Sequence, residues 1–173
     1  FSGIMRNWGL VFVGNFAGAM TTAFFMSFIL TYGYSIEGGA IAEKVATIGE
    51  SRTVGYQEHG FAGWITIFIR GMLCNWMVSM GVVGAMISTS AGAKMAAMWM
   101  PVMLFFFMGF EHSIVNMFLF PFSMIMGGEF TVYDYLVWNE LPTVLGYLAG
   151  GLLLVGLPLY YTHVRTSATR KLV

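Results

Sequence analysis

Phe105-Phe106-Phe107-Met108-Gly109-Phe110-Glu111-His112-Ser113-Ile114-Val115-Asn116 puts a glycine, a carboxylate, an imidazole and an amide in the middle of an otherwise apolar stretch over 95–126. One straight helix of that length would be roughly 48 Å long, against a hydrocarbon core of about 30 Å. The stretch must tilt, kink or break. With Pro101 and Pro121 nearer its ends, a break close to Gly109 is the preferred reading. Backbone that leaves the helix at membrane depth is tolerated only where protein buries it or where it lines a water-filled cavity. A broken intramembrane helix therefore points to a solute pathway.

Outward from this stretch, 8–32, 61–89 and 142–162 are each long and apolar enough to cross a bilayer. The connections are 33–60, 90–94, 127–141 and the tail. The expectation is an all-α membrane protein, one transmembrane domain over 1–173 with four spans. Of the 173 residues 58% are hydrophobic and 9% charged, which excludes a soluble globule and a disordered chain. Eight basic residues balance eight acidic ones, and no cationic cluster exceeds Arg170-Lys171, so nucleic acid is not an expected partner. Cys74 is the single cysteine, which rules out an intrachain disulfide and a cysteine metal pair. No nucleophile–base arrangement, paired carboxylates or phosphate-cradling glycine loop is present, so an enzyme is not expected.

Charges orient the chain. Arg6, Lys94, Arg165, Arg170 and Lys171 fall on one side of these spans, and Lys44 and Arg52 on the other. By the positive-inside rule the C-terminus is cytoplasmic. Seven of the eight acids, Glu37, Glu43, Glu50, Glu58, Glu129, Asp134 and Glu140, then lie in the two outer connections. The chain begins at Phe1 without a signal-peptide pattern and is expected to be part of a longer protein. Gly14-Asn15-Phe16-Ala17-Gly18 and Gly146-Tyr147-Leu148-Ala149-Gly150 share a small-xxx-small pattern, read either as an internal repeat or as two ordinary helix-packing motifs.

An ionisable residue at helix centre in hydrocarbon costs about 2.5–3.5 kcal/mol on insertion scales, so Glu111 and His112 need a reason to be there. Neighbouring helical positions point about 100° apart and cannot both face one pore. His112 is assigned to the pathway, and Glu111 to accepting hydrogen bonds from backbone N–H groups freed by the break. A buried, satisfied histidine is the plain alternative. Apolar surroundings favour the neutral imidazole and an arriving anion favours its proton, which suits a carrier of weak acids. A helix resuming after the break would also present free N–H groups to an anion. Asn116, one turn on, can donate to a carboxylate or nitrite oxygen. Asn75 can do so from a neighbouring helix or simply bond between helices. One ring of the Phe105-Phe106-Phe107 run with Phe110, projecting into the path, would make an apolar constriction. Arg70 is expected to snorkel to the outer surface.

Gly109-Phe110-Glu111-His112-Ser113-Ile114-Val115-Asn116-Met117-Phe118, followed by Pro121, resembles the signature of the formate/nitrite transporter family, with Val115 where that signature has Ala. Three further blocks agree in order: Asn7-Trp8 with Gly14 to Ala19, Arg70 to Trp76, and Asn139-Glu140-Leu141-Pro142 with Gly146 to Gly151. The resemblance implies an aquaporin-like homopentamer whose protomers each have a pore formed by six spans. This chain then corresponds to spans three to six, the first two being absent together with their share of the pore. It further implies that His112 is the central pore histidine, Asn116 and Asn75 its polar companions, Glu111 a support for the helix broken at Gly109, and Phe105 part of an outer slit. Formate, nitrite, hydrosulfide or lactate are the implied substrates, with no cofactor and no metal, and the bacterial inner membrane is the implied location. Tyr147 stands where the family usually has Asn. The vestibule lysine of the family falls at His59 by spacing or at Lys44 by local pattern.

Two other classes compete. A haem- or quinone-binding subunit would use His112 as an axial ligand, but His59 and His163 lie at span ends rather than at its depth. A neutral-solute, aquaporin-type channel fits the fold, but the 173 residues contain no Asn-Pro-Ala pair.

Overall fold

In a computed structural model, which describes residues 2–165, the chain is helical and no strand occurs among the described residues. The helices are α1 (Ser2–Leu30), α2 (Gly39–Ser51), α3 (Val54–Gln57), α4 (Gly60–Ile87), α5 (Ala91–Phe107), α6 (Ser113–Ile125) and α7 (Val132–Arg165). α7 is one continuous helix with wide π-helical turns at Leu136–Glu140, Gly150–Gly156 and Tyr160–Arg165. α1, α4 and α7 are long and apolar enough to cross a membrane, while α5 and α6 are shorter apolar helices. The basic residues Arg170 and Lys171 lie outside the described residues.

The break expected near Gly109 is present, because α5 ends at Phe107 and α6 begins at Ser113. Two connections differ from expectation. Segment 33–60 holds α2 and α3 rather than a loop: Ala42, Ala46 and Gly49 form a small, buried stripe at helical spacing. The last helix starts about ten residues earlier than the hydrophobic run suggests. Thr131 and Asp134 form a capping box, in which the Asp134 N–H donates to Thr131 Oγ1 at 3.2 Å and the Thr131 N–H to Asp134 Oδ2 at 2.8 Å. Asn139 and Glu140 thereby become buried helical residues, and Glu140 leaves the outer acidic group to which its sequence position assigned it.

Two compact units are distinguished, the first comprising residues up to Ile67 with His112–Pro142, the second Phe68–Glu111 with the residues from Thr143 on. In the first, α1 and α2 both pack on α6. Its core is aromatic: the Phe120 ring lies 5.7 Å from Phe130, edge to face, and 4.7 Å from Tyr135. Ser123 Oγ donates to the Ala46 carbonyl at 3.2 Å, tying α6 to α2.

In the second unit α4 and α7 meet backbone to backbone. A Cβ added at Gly146 would collide with the Phe68 carbonyl, and one at Gly150 with that of Met72. Small residues permit this approach, on which helix association in lipid depends when no hydrophobic driving force separates helix from tail. Gly14 and Gly18, which carry the similar pattern in α1, have nothing within 4 Å of an added Cβ among the described residues. Gly146→Ala is expected to cost about 1–3 kcal/mol through forced separation of α4 and α7, whereas Gly92→Ala, in open space, should stay within about 0.5 kcal/mol. Thermal unfolding in detergent compares the two, and equal midpoints would contradict the close approach.

Candidate functional site

The break is built from local chemistry on both sides. α5 ends in a Schellman motif: the Phe110 N–H donates to the Phe105 carbonyl at 3.0 Å and the Gly109 N–H to that of Phe106 at 3.1 Å. Gly109 occupies the left-handed position this requires, with φ of +63°. Its own carbonyl accepts from Arg70 Nη2 at 2.8 Å. Arg70, expected at the surface, is instead half-buried on α4, its guanidinium giving the break a charged donor.

On the far side His112 is the N-cap of α6, with extended backbone at φ −127° and ψ 113°. Its Nδ1 accepts the Val115 N–H at 3.3 Å, and its carbonyl accepts the Asn116 N–H at 2.8 Å. An imidazole whose Nδ1 accepts must carry its proton on Nε2 when neutral. Capping thus selects the neutral tautomer with its proton on Nε2.

The first turn of α6 is held in turn by α7. Ser113 Oγ donates to Glu140 Oε1, and the Tyr135 hydroxyl donates to Glu140 Oε2 at 3.3 Å. Asn116 Nδ2 donates to Asn139 Oδ1 at 2.7 Å, and Asn139 Nδ2 to the Arg52 carbonyl at 2.8 Å. Ser113, Asn116, Asn139 and Glu140 are all buried, so the bonds among them form away from water, where they are worth most, while the bond to the Arg52 carbonyl is part-buried. His112 and Asn116 are therefore brought together within the first unit. The Asn116 amide nitrogen, proposed from sequence to face a substrate oxygen, makes one of its bonds to Asn139.

The remaining residues singled out from sequence lie elsewhere. Asn75, on α4 in the second unit, donates through Nδ2 to the Tyr147 carbonyl at 2.6 Å, the interhelical alternative weighed for it. Tyr147, where an Asn was expected, has its hydroxyl 3.5 Å from Cys74 Sγ. Phe105 is the buried ring of its run, 3% exposed against 56% for Phe106 and 86% for Phe107. Glu111 lies in the break and is 0% exposed. His59 and Lys44, the two vestibule alternatives, are both exposed in the first unit, and His163 is exposed in the last turn of α7. Among the described residues no three His, Cys, Asp or Glu side chains group so as to hold a metal ion. A groove of about 870 Å³ in the first unit is lined by Glu37, Glu43, Glu50 and Glu129, whose charges repel an anion.

Sequence reasoning missed Arg70 as a partner of the break and Asn139 and Glu140 as supports of α6. The Thr131-x-x-Asp134 spacing was the available signal for the last two, since it starts the helix early enough to make them interior. Nothing in the sequence pairs Arg70 with a carbonyl 39 residues away.

A model of the formate/nitrite transporter family matches residues 1–161. The chain is 31% identical over 173 residues to a probable formate transporter of Methanothermobacter thermautotrophicus, covering 94% of this chain and 61% of that one. It is 27% identical over 171 residues to the formate channel FocA of Haemophilus influenzae, covering 88% of this chain and 57% of that one. Among solved structures it is similar to a pentameric formate channel with formate bound, at a TM-score of 0.74 and 24% identity, covering 92% of this chain and 66% of the other. The likeness in structure shows the fold, which is the one the sequence resemblance implied. The chain spans about three-fifths of the length of these curated relatives.

Two substitutions test the construction of the break. Gly109→Ala forces a Cβ into a left-handed position and is expected to cost about 1–2 kcal/mol, with Gly109→Asn milder. Arg70→Met removes a charge-assisted hydrogen bond worth about 1.5–3 kcal/mol. Thermal unfolding in detergent reads both, and wild-type stability of either variant would contradict the corresponding contact.

Proposed function

The chain belongs to the formate/nitrite transporter family, and from this premise we propose that it forms part of a channel for small monovalent weak-acid anions, formate and nitrite first among them. It is an integral membrane protein. The observation that carries the reading is the break itself: a helix interrupted between apolar halves, restarting at a histidine whose ring caps the second half. The relatives named for formate support the choice of substrate.

In this reading an anion meets the Nε2–H of His112 at the positive end of the α6 dipole. That hydrogen bond requires no change in the ring. Proton exchange requires more, because an imidazolium has no lone pair on Nδ1 and cannot keep the Val115 N–H as a partner. When an imidazolium gives its Nε2 proton to formate, the N–H bond breaks, an O–H bond forms, and the ring is left neutral with its proton on Nδ1. Proton coupling therefore involves release and remaking of the cap, whereas selection of the anion does not. Phe105 serves as the apolar constriction, Asn75 and Asn116 hold neighbouring backbone and side chains around the pathway, and Glu111 supports the break. His59 or Lys44 attracts the anion at the mouth.

The assembly proposed is a homopentamer in a lipid bilayer, by analogy with the pentameric formate channel of similar fold. The 1–173 segment acts as one transmembrane domain that supplies spans three to six. Its C-terminus lies on the cytoplasmic side of a bacterial inner membrane, in keeping with Arg6, Lys94 and Arg165. Hydrosulfide and lactate are further substrates to compare with formate and nitrite.

Uptake of labelled formate and nitrite into liposomes carrying the full-length protein, with and without an inward proton gradient, tests the reading. Saturable uptake of either anion, stimulated by the gradient, is expected. His112→Phe should abolish the stimulated component while assembly is retained. Wild-type uptake by a well-assembled His112→Phe protein would remove the histidine from the mechanism. No uptake of any of the four anions would overturn the channel reading.

A further inference from the structure

We infer that Asn139 and Glu140 of α7 are the positioning residues for His112: through Asn116 and Ser113 they fix the first turn of α6, and so hold the His112 ring in its capping, Nε2–H form. This rests on the proposed role of His112 in the pathway. Ser113 and Asn116 are three residues apart and share one face of the first turn of α6. Asn139 and Glu140 are adjacent, and in a regular α-helix neighbouring side chains diverge by about 100°. The turn over Leu136–Glu140 is π-helical, and the wider turn lets two consecutive side chains reach the same neighbouring turn.

The contacts form two short chains. One runs from the Tyr135 hydroxyl and Ser113 Oγ onto the two oxygens of Glu140. The other runs from Asn116 Nδ2 to Asn139 Oδ1, and from Asn139 Nδ2 to the Arg52 carbonyl at the end of α2. Each ends on the residue beside the cap or on the residue whose own N–H is bonded to the His112 carbonyl. The His112 ring caps α6 through Nδ1, which accepts the Val115 N–H at 3.3 Å. A ring that caps a helix follows the turn it caps, and supporting hydrogen bonds supply rigidity to such a turn at functional sites. Apolar replacements of α7 would keep the helices packed but let that turn move.

Solid-state NMR of the assembled full-length protein labelled with ¹⁵N-histidine, in liposomes, reads the ring directly. The His112 signals are identified by their loss in His112→Asn. The wild-type ring should show an unprotonated Nδ1 and a protonated Nε2. In Asn139→Leu and Glu140→Ala the two nitrogens should average between tautomers, and formate uptake should fall on the order of 10- to 100-fold. Glu140→Gln, which keeps an acceptor for Ser113, should restore the wild-type signature. An unchanged signature in both disruptive variants would overturn the proposal. Should either fail to assemble, Ser113→Ala removes the Glu140 contact from the α6 side and carries the same expectation. If His112→Asn leaves formate uptake intact, the role of His112 in the pathway fails while the spectra still decide whether α7 positions the ring.

Discussion

A peptide N–H or C=O left without a partner in hydrocarbon costs several kcal/mol, and the segment over 108–112 interrupts a helix in an apolar stretch where water is scarce. Every device around it answers that cost. The Schellman turn at Gly109 uses the carbonyls at the end of α5, Arg70 takes the carbonyl that the turn leaves pointing away, and His112 takes an N–H at the start of α6. The first and last are contained in the eleven residues from Phe105 to Val115. The middle one comes from another helix, which makes the break a tertiary structure and not merely a local turn.

The two units hold their helices by different means. In the second, glycines of α7 let its backbone press against α4, so dispersion contacts between main chains add to the bond from Asn75 to the Tyr147 carbonyl. In the first, buried side chains of α6 and α7 exchange hydrogen bonds, and an aromatic cluster of Phe120, Phe130 and Tyr135 fills the space beside them. Hydrogen bonds are directional where dispersion is not. Directional bonds occur in both units, at Asn75 and Arg70 in the second and around Ser113 and Asn116 in the first.

A histidine that caps a helix has a divided role. Its Nδ1 accepts an N–H of α6, and the neutral ring then carries its proton on Nε2, so capping and donation fall on different atoms. Loading a second proton sets the two in competition, because both nitrogens then donate.

The break and its central residues were legible in the sequence because the signals are local. A glycine, a carboxylate and an imidazole inside an apolar run too long for one straight span are costly enough to demand a common cause, and left-handed backbone at Gly109 follows from residue type. The long spans followed from composition and length. α2 was not legible, since its apolar positions are small residues that read like a loop until α6 covers them. Nor were the partners of the polar groups. Asn75 found a backbone carbonyl, Asn116 found Asn139, Glu140 went inside and Arg70 turned to Gly109. Sequence alone determined where the helix must break and which residues stand there, because those depend on the cost of each residue in hydrocarbon. Only the tertiary structure decided what each polar group bonds to, because that depends on which helices lie side by side, and a side chain in a dry interior takes the nearest partner that packing offers.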